Sequence, residues 1–169
     1  MRASALILPG EGFRRGLAMT LALVLGGCQG SMPMPLGGLN RQLAQQGSQR
    51  EPSLSGRWLA LIATRQGRDQ VELVDVERQG PVPLPGLNRP DALPLSVSVD
   101  AEGQRLVVVR QVEGRTEVVL YRRAVMSTEA IPMEPQGVPR RANLRADGRE
   151  MAVEVSRDGV VQVDLITLP

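Results

Sequence analysis

The chain has 169 residues, of which 42% are hydrophobic and 2% aromatic, so it is long enough for one domain with an apolar core. It contains no His, no Lys and a single Cys, and all 20 of its basic residues are Arg. These absences exclude imidazole catalysis, histidine metal ligation, a lysine Schiff base, an intrachain disulfide and a cysteine-based metal cluster.

The first segment, residues 1–27, has the features of a cleaved signal peptide. Arg14 and Arg15 precede an uncharged and nearly all apolar stretch from Gly16 to Leu25. Ten to twelve helical residues cover roughly half of a ~30 Å hydrocarbon core, which is too short to span it well. The stretch is therefore predicted to be the hydrophobic region of a signal peptide and not part of the fold.

The hydrophobic stretch ends at Leu25-Gly26-Gly27-Cys28, which contains the only Cys of the chain. This sequence resembles the lipobox of bacterial lipoproteins. The resemblance implies cleavage before Cys28 and its modification with diacylglycerol and a further acyl chain such as palmitate, which would anchor the protein in a membrane facing the periplasm. Gln29 in the next position favours, by the same analogy, the outer membrane of a Gram-negative envelope. The alternatives are an ordinary secretory signal with a chance Cys and an uncleaved anchor.

Residues 28–50 are predicted to be a flexible, disordered tether. They are rich in Gly, Gln, Pro and Ser, and the Met32-Pro33-Met34-Pro35 run disfavours regular structure. Asn40 to Gln46 has the composition of a single helical turn, but Leu39 and Leu43 give it only a weak apolar face. The tether is expected to hold the folded part away from the membrane.

Residues 51–169 contain an internal repeat. Gly56, Gly103 and Gly148 align without gaps at spacings of 47 and 45 residues, and Gly recurs eleven positions after each of them. When the repeats are aligned on these glycines, each aligned position is called a column. One apolar column contains Leu59, Leu106 and Met151, and another contains Leu73, Leu120 and Leu165. Each column is expected to occupy one buried position in every repeat. The predicted repeats cover about residues 51–94, 95–140 and 141–169.

Each repeat is predicted to be an antiparallel meander of three or four strands. A Gly-containing turn precedes each of two β-rich runs, as in Arg105 to Gln111 followed by Thr116 to Arg122. Short strands with Gly turns at this spacing indicate an all-β fold, and a period of about 45 residues is that of a β-propeller blade.

The third repeat carries the family resemblance. Ala146 to Val153, with Asp147-Gly148 at its turn, and Gln162 to Leu165 downstream are similar to the repeat of TolB-type periplasmic β-propellers. The other repeats depart from that pattern, with Glu102 or Ser55 in place of the Asp. The resemblance implies the blade fold over residues 51–169. It does not imply the role of TolB, because such blades serve many proteins and TolB has more blades and an additional N-terminal domain.

Three repeats are fewer than the four to eight blades of ordinary closed propellers. The third repeat ends at Leu168-Pro169 after its third strand, which predicts an incomplete propeller with an apolar free edge along Val160 to Leu168. The chain is expected either to remain an open stack or to combine with a second copy or another chain that covers this edge. A single-chain sandwich is the second choice of fold.

The sequence contains no convincing catalytic or metal site. No Ser lies in a Gly-x-Ser-x-Gly setting, and the Asp residues are spread singly through turns, where Asp is favoured. No catalytic residue, metal or cofactor is therefore predicted. After cleavage the chain carries 17 Arg and 17 acidic residues, and this balance does not favour nucleic acid as a partner.

The mature chain has two aromatic residues, one a candidate contact for a partner and the other expected in the core. Trp58 shares its column with Arg105 and Glu150, so it is a candidate partner contact, although a neighbouring sheet or the tether is the favoured cover for it. Tyr121 shares its column with Val74 and Ile166 and is expected in the core.

Together these features predict a non-enzymatic envelope lipoprotein that binds or scaffolds an envelope protein. One alternative is an envelope enzyme, or an inhibitor of one, that uses Asp and Arg residues on loops. Another is a structural subunit that completes a propeller with another chain.

Overall fold

The computed structural model describes residues 32–169, so Cys28 and the lipobox residues Leu25, Gly26 and Gly27 lie outside the described residues. Residues 36–169 form one compact unit. Within the described range, no helix combines the length and the apolar character needed to cross a membrane.

The described residues contain one α-helix and eleven strands. Their bounds are α1 (Gly37–Ala44), β1 (Gln49–Ser55), β2 (Trp58–Arg65), β3 (Arg68–Asp75), β4 (Gly80–Val82), β5 (Ala92–Val99), β6 (Arg105–Val112), β7 (Arg115–Arg122), β8 (Ser127–Ile131), β9 (Val138–Leu144), β10 (Glu150–Arg157) and β11 (Val160–Thr167). A short 3₁₀ turn, Arg123–Val125, links β7 to β8.

The strands form three antiparallel sheets, which confirms the predicted all-β fold of three meanders. Sheet 1 contains β1 to β4, sheet 2 contains β5 to β8, and sheet 3 contains β9 to β11, each in sequence order. The second Gly of each repeat closes a two-residue hairpin in which both residues have positive φ: Gln66-Gly67, Glu113-Gly114 and Asp158-Gly159. Such turns match the twist of paired strands, so these glycines set the hairpin register.

The segment predicted to be a tether contains ordered structure, and the compact unit begins at residue 36. The turn after helix α1 lies at the face of sheet 1 opposite sheet 2, because Arg65 on that face donates hydrogen bonds to the backbone and side-chain oxygens of Gln46. Leu39 of α1 is buried. The helix has two Gly at its start and no side-chain N-cap. Tertiary contact, and not local propensity, therefore stabilises it, which is why the composition of the segment does not predict it.

Side chains alternate between the two faces of each sheet, and each face has a constant role. The face towards the next sheet in sequence is called the forward face, and the opposite one the rear face. Forward-face Ala60, Ile62 and Leu73 of sheet 1 pack in one core with rear-face Leu106, Val108 and Tyr121 of sheet 2. Forward-face Val107, Val109 and Leu120 of sheet 2 pack in a second core with rear-face Met151, Val153 and Val155 of sheet 3.

The two apolar columns of the repeat are only partly confirmed as equivalent core positions. Leu106 and Met151 are buried, whereas Leu59 is half-buried. Leu73 and Leu120 are fully buried, but Leu165 is 83% exposed, so the prediction of Leu165 as a core residue is wrong. Leu165 lies on the forward face of sheet 3, and within residues 32–169 no further sheet follows to cover that face.

Candidate interaction surface

Trp58 is not an exposed anchor, since it is 6% exposed. Its ring lies on Gly103, in the turn between β5 and β6, and a Cβ added to Gly103 would come within 2.4 Å of the ring. The guanidinium groups of Arg57 and Arg123 lie 4.8 and 4.6 Å from the ring centroid. This corrects the interpretation of Trp58 as a partner contact: the adjacent sheet and two cation–π contacts cover the ring.

Tyr121 is fully buried in the core between sheets 1 and 2, as the repeat predicts. Its hydroxyl donates a hydrogen bond to the carbonyl oxygen of Pro85 at 2.9 Å. Burial raises the pKa of the phenol, and the side chain therefore serves the core as a neutral group.

The forward face of sheet 3 is uncovered within residues 32–169 and exposes apolar side chains next to the charged Glu154 and Arg141. Its apolar side chains, here called the open face, are Ala152, Val161, Val163 and Leu165. The last three are at least half exposed. Their equivalents on the forward faces of sheets 1 and 2, such as Leu73 and Leu120, are buried against the next sheet. Because the equivalent faces of sheets 1 and 2 are buried against protein, the open face is the candidate interaction surface of the described chain.

Sheet 3 also has an unpaired edge at β11. In sheet 2, β8 pairs with Val118 to Arg122, but the equivalent segment Val163 to Thr167 has no fourth strand beside it in the described chain. Only Asp164 carries a charge in β11, and it pairs with Arg157 of β10. The hydrogen bond from Arg157 holds the pKa of Asp164 below its usual value. The edge strand is therefore fixed to β10 while its outer side is free for pairing.

A polar ladder links the first strands of the three sheets. Ser53, Ser98 and Asn143 occupy one register position on β1, β5 and β9. The Ser53 hydroxyl oxygen accepts a hydrogen bond from Val99 N–H at 3.3 Å, and that of Ser98 accepts one from Leu144 N–H at 2.9 Å. Each of these hydrogen bonds thus links one sheet to the first strand of the next. Asn143 is the third member of the series and is exposed.

The first strands of the sheets also line a groove of about 430 Å³. An ion pair of 3.0 Å between Arg141 and Glu51 joins sheet 3 to sheet 1 across it. The rest of its lining is mainly serine, proline, asparagine and aliphatic side chains. Residues 32–169 contain no group of three or more His, Cys, Asp or Glu side chains placed to hold a metal ion.

The buried carboxylates have structural partners in turns. Asp100 accepts a hydrogen bond from Gln104 N–H at 2.8 Å, and burial raises the pKa of this carboxyl group. Asp75 accepts hydrogen bonds from the N–H groups of Glu77 and Arg78, both at 3.1 Å. These contacts are the Asp turns that the sequence predicts at such positions.

The three stacked meanders, with their first strands side by side, define the described chain as part of a β-propeller, and the ring does not close within residues 32–169. TolB from Acinetobacter baumannii has a similar structure, with a TM-score of 0.54 and 17% identity over 69% of this chain and 29% of TolB. The β-propeller domain of Cps50 (Swd1) from Myceliophteria thermophila matches with a TM-score of 0.44 and 15% identity over 71% of this chain and 39% of that domain.

The matched region thus covers less than half of either chain. No protein-family model and no curated protein matches the sequence. At 17% identity, the likeness to TolB shows the propeller fold alone. The role of the chain has to be inferred from its own surfaces.

Proposed function

We propose that the protein is a lipid-anchored envelope lipoprotein that binds another protein without catalysis. The lipobox-like Leu25-Gly26-Gly27-Cys28 sequence supports the anchor. A lipid chain contributes about 0.8 kcal/mol per buried CH₂, and a lipoprotein with several chains stays in its membrane.

The open face of sheet 3 is the observation that supports protein binding. A sheet face that exposes Val161, Val163 and Leu165 to water gains about 25 cal/mol for every Å² of apolar surface that a partner covers. Catalysis has no comparable support, because the carboxylates that are buried are held in turns by backbone N–H groups.

Photo-crosslinking in the native cell tests this binding role. A photoreactive phenylalanine at position 165 is expected to yield a crosslinked protein adduct, because Leu165 lies within the open face. The matched control is the same amino acid at position 140, since Arg140 is exposed on β9 outside the open face. If position 165 gives no more adduct than position 140, the open face does not bind protein.

A further inference from the structure

We propose that the open face of sheet 3 receives the rear face of sheet 1 from a second copy, so that two chains close one ring of six sheets. This inference rests on the proposed protein-binding role of the open face and names its occupant. Six sheets lie within the ordinary range of about four to eight blades, and twofold assemblies are the commonest homo-oligomers.

The rear face of sheet 1 lacks its cover at the first strand. Leu54 lies opposite Leu59, in the register position that Val99 and Leu144 occupy in sheets 2 and 3. Val99 and Leu144 are buried by the preceding sheet, whereas Leu54 is 67% exposed. Residues 32–169 therefore carry both halves of the interface that the chain forms twice internally: a forward face on sheet 3 and a rear-face position on sheet 1, neither of which a sheet covers within this range.

The polar ladder continues across this contact. Ser53 and Ser98 each accept the N–H group of the residue that occupies the Leu54 position in the next sheet. The next acceptor in the series is Asn143, and the next donor is Leu54 N–H of a second copy. Both groups occupy the register positions of the two internal hydrogen bonds, because the pairing at this end of the first strand is the same in all three sheets.

The turns at one end of the sheets repeat the same order. Trp58 covers Gly103 of the next sheet, and Arg105 lies 3.0 Å from a Cβ added at Gly148 and donates a hydrogen bond to its carbonyl oxygen. The turn contact does not continue in this way, because Glu150 occupies the next position and its carboxylate accepts hydrogen bonds, as it does from Arg145. A second copy in the next-sheet position thus extends two independent sets of contacts: the apolar faces and the ladder.

Helix α1 covers the outer part of the rear face of sheet 1 and must shift for the ring to close. Leu39 is its single buried side chain, and the eight-residue helix starts with two Gly and has no side-chain N-cap. A helix this short has little stability of its own, so the apolar side chains Val161, Val163 and Leu165 of a second copy compete with it for the rear face of sheet 1.

The arrangement is tested by the mass of the full chain in detergent, measured by light scattering over a dilution series. Leu54→Asp and Leu165→Asp are each expected to weaken dimerisation at least about tenfold, because each places a charge in both copies of the interface. Val125→Asp is the matched control, since Val125 is also exposed and apolar but lies in the turn after β7. A dimer that Leu165→Asp disrupts and Leu54→Asp does not would mean that two open faces meet each other, and this would overturn the ring.

A crosslink tests the same register without relying on destabilising substitutions. Ser53 and Ser98 have their hydroxyl oxygens 3.3 Å apart, and that of Ser98 lies 3.4 Å from the Asn143 side-chain oxygen. Ser53→Cys with Asn143→Cys, on a Cys28→Ser background, should therefore give a covalent dimer on oxidation. A chain that stays monomeric overturns the inference. If position 165 still crosslinks to a different protein in that case, the proposed binding role remains.

Discussion

At the scale of single residues, Gly103 shows why Gly is required at the first turn of its repeat. It has a φ of +64° and lies beneath the Trp58 ring. Gly103→Ala is expected to lower the free energy of unfolding by roughly 2–5 kcal/mol, the sum of a left-handed backbone cost and overpacking against the ring. Denaturant unfolding monitored by Trp58 fluorescence measures this loss.

Gly114 is the matched control for this substitution. Its φ is +78°, and a Cβ added there meets no atom within 4 Å. Gly114→Ala should therefore cost only the backbone term of about 1–2 kcal/mol. Equal losses for the two variants would contradict the close packing of Trp58 on Gly103.

Cys28 carries the prediction of lipidation. Metabolic labelling with a fatty-acid analogue should mark the protein, and Cys28→Ala should abolish the label because no other Cys is present. The labelled protein should also remain in the membrane fraction through a salt wash, since acyl anchoring is hydrophobic. Unchanged labelling of Cys28→Ala would contradict the assignment.

Some residue roles were predictable from the sequence and others were not. The repeat alignment placed Tyr121 in the core, because its column is apolar in all three copies. Trp58 was ambiguous, because its column also holds Arg105 and Glu150. The cover on Trp58 comes from Gly103, and an alignment of repeats does not show contacts between one repeat and the next.

At the scale of strands and sheets, Leu120 and Leu165 show that residues at equivalent positions of the repeat can differ in burial. They occupy the same column, yet Leu120 is fully buried and Leu165 is 83% exposed. Leu120→Ala should cost roughly 2–5 kcal/mol of unfolding free energy. Leu165→Ala should cost less than about 0.5 kcal/mol in the monomer. The denaturant midpoints of the two variants test this difference, at a protein concentration that keeps the chain monomeric. Similar shifts of the two midpoints would mean that the forward face of sheet 3 is covered.

The hairpin of β10 and β11 should lose stability in acid. The hydrogen bond from Arg157 lowers the pKa of Asp164 from its ordinary 3.8, so the native state favours the carboxylate. The pair therefore stabilises the fold above pH 3.8, and this contribution is lost as the pH falls through the lowered native pKa. Asp164→Asn should reduce stability at pH 7, and its difference from the unsubstituted chain should shrink below pH 3.8. A difference that stays constant with pH would contradict this contribution of the Arg157–Asp164 pair.

The strands were more predictable than the helix. Alternating apolar residues and Gly turns carry a local signal, and they located the hairpins that close at Gly67, Gly114 and Gly159. Helix α1 carries little local signal, because it has one buried side chain and no side-chain N-cap, and Arg65 of sheet 1 holds only the turn that follows it. Composition and periodicity do not predict a helix that depends on such tertiary contacts.

At the scale of the whole molecule, the two ends of the stack differ. Sheet 1 has α1 over part of its rear face, whereas the open face of sheet 3 has no cover within residues 32–169. The sequence predicted an incomplete propeller with a free last strand from the count of repeats. Exposed apolar end faces were one predicted outcome, that of an open stack, but the equivalence of the repeats also led to the wrong expectation that Leu165 is buried. The departure from that equivalence is the observation on which the proposed binding role of the open face rests.

Closure of a six-sheet ring makes thermal stability depend on concentration. Two folded chains that bind each other are stabilised by mass action, because unfolded chains do not form the interface. Each tenfold increase in concentration should stabilise the dimer by about 1.4 kcal/mol, which raises the midpoint of thermal unfolding by a few degrees. Leu54→Asp should remove this dependence and leave a midpoint that is constant with concentration, while Val125→Asp should keep it. Calorimetry of the full chain in detergent across two decades of concentration measures the slope, and a flat profile for the unsubstituted chain would show that folding and assembly are not coupled.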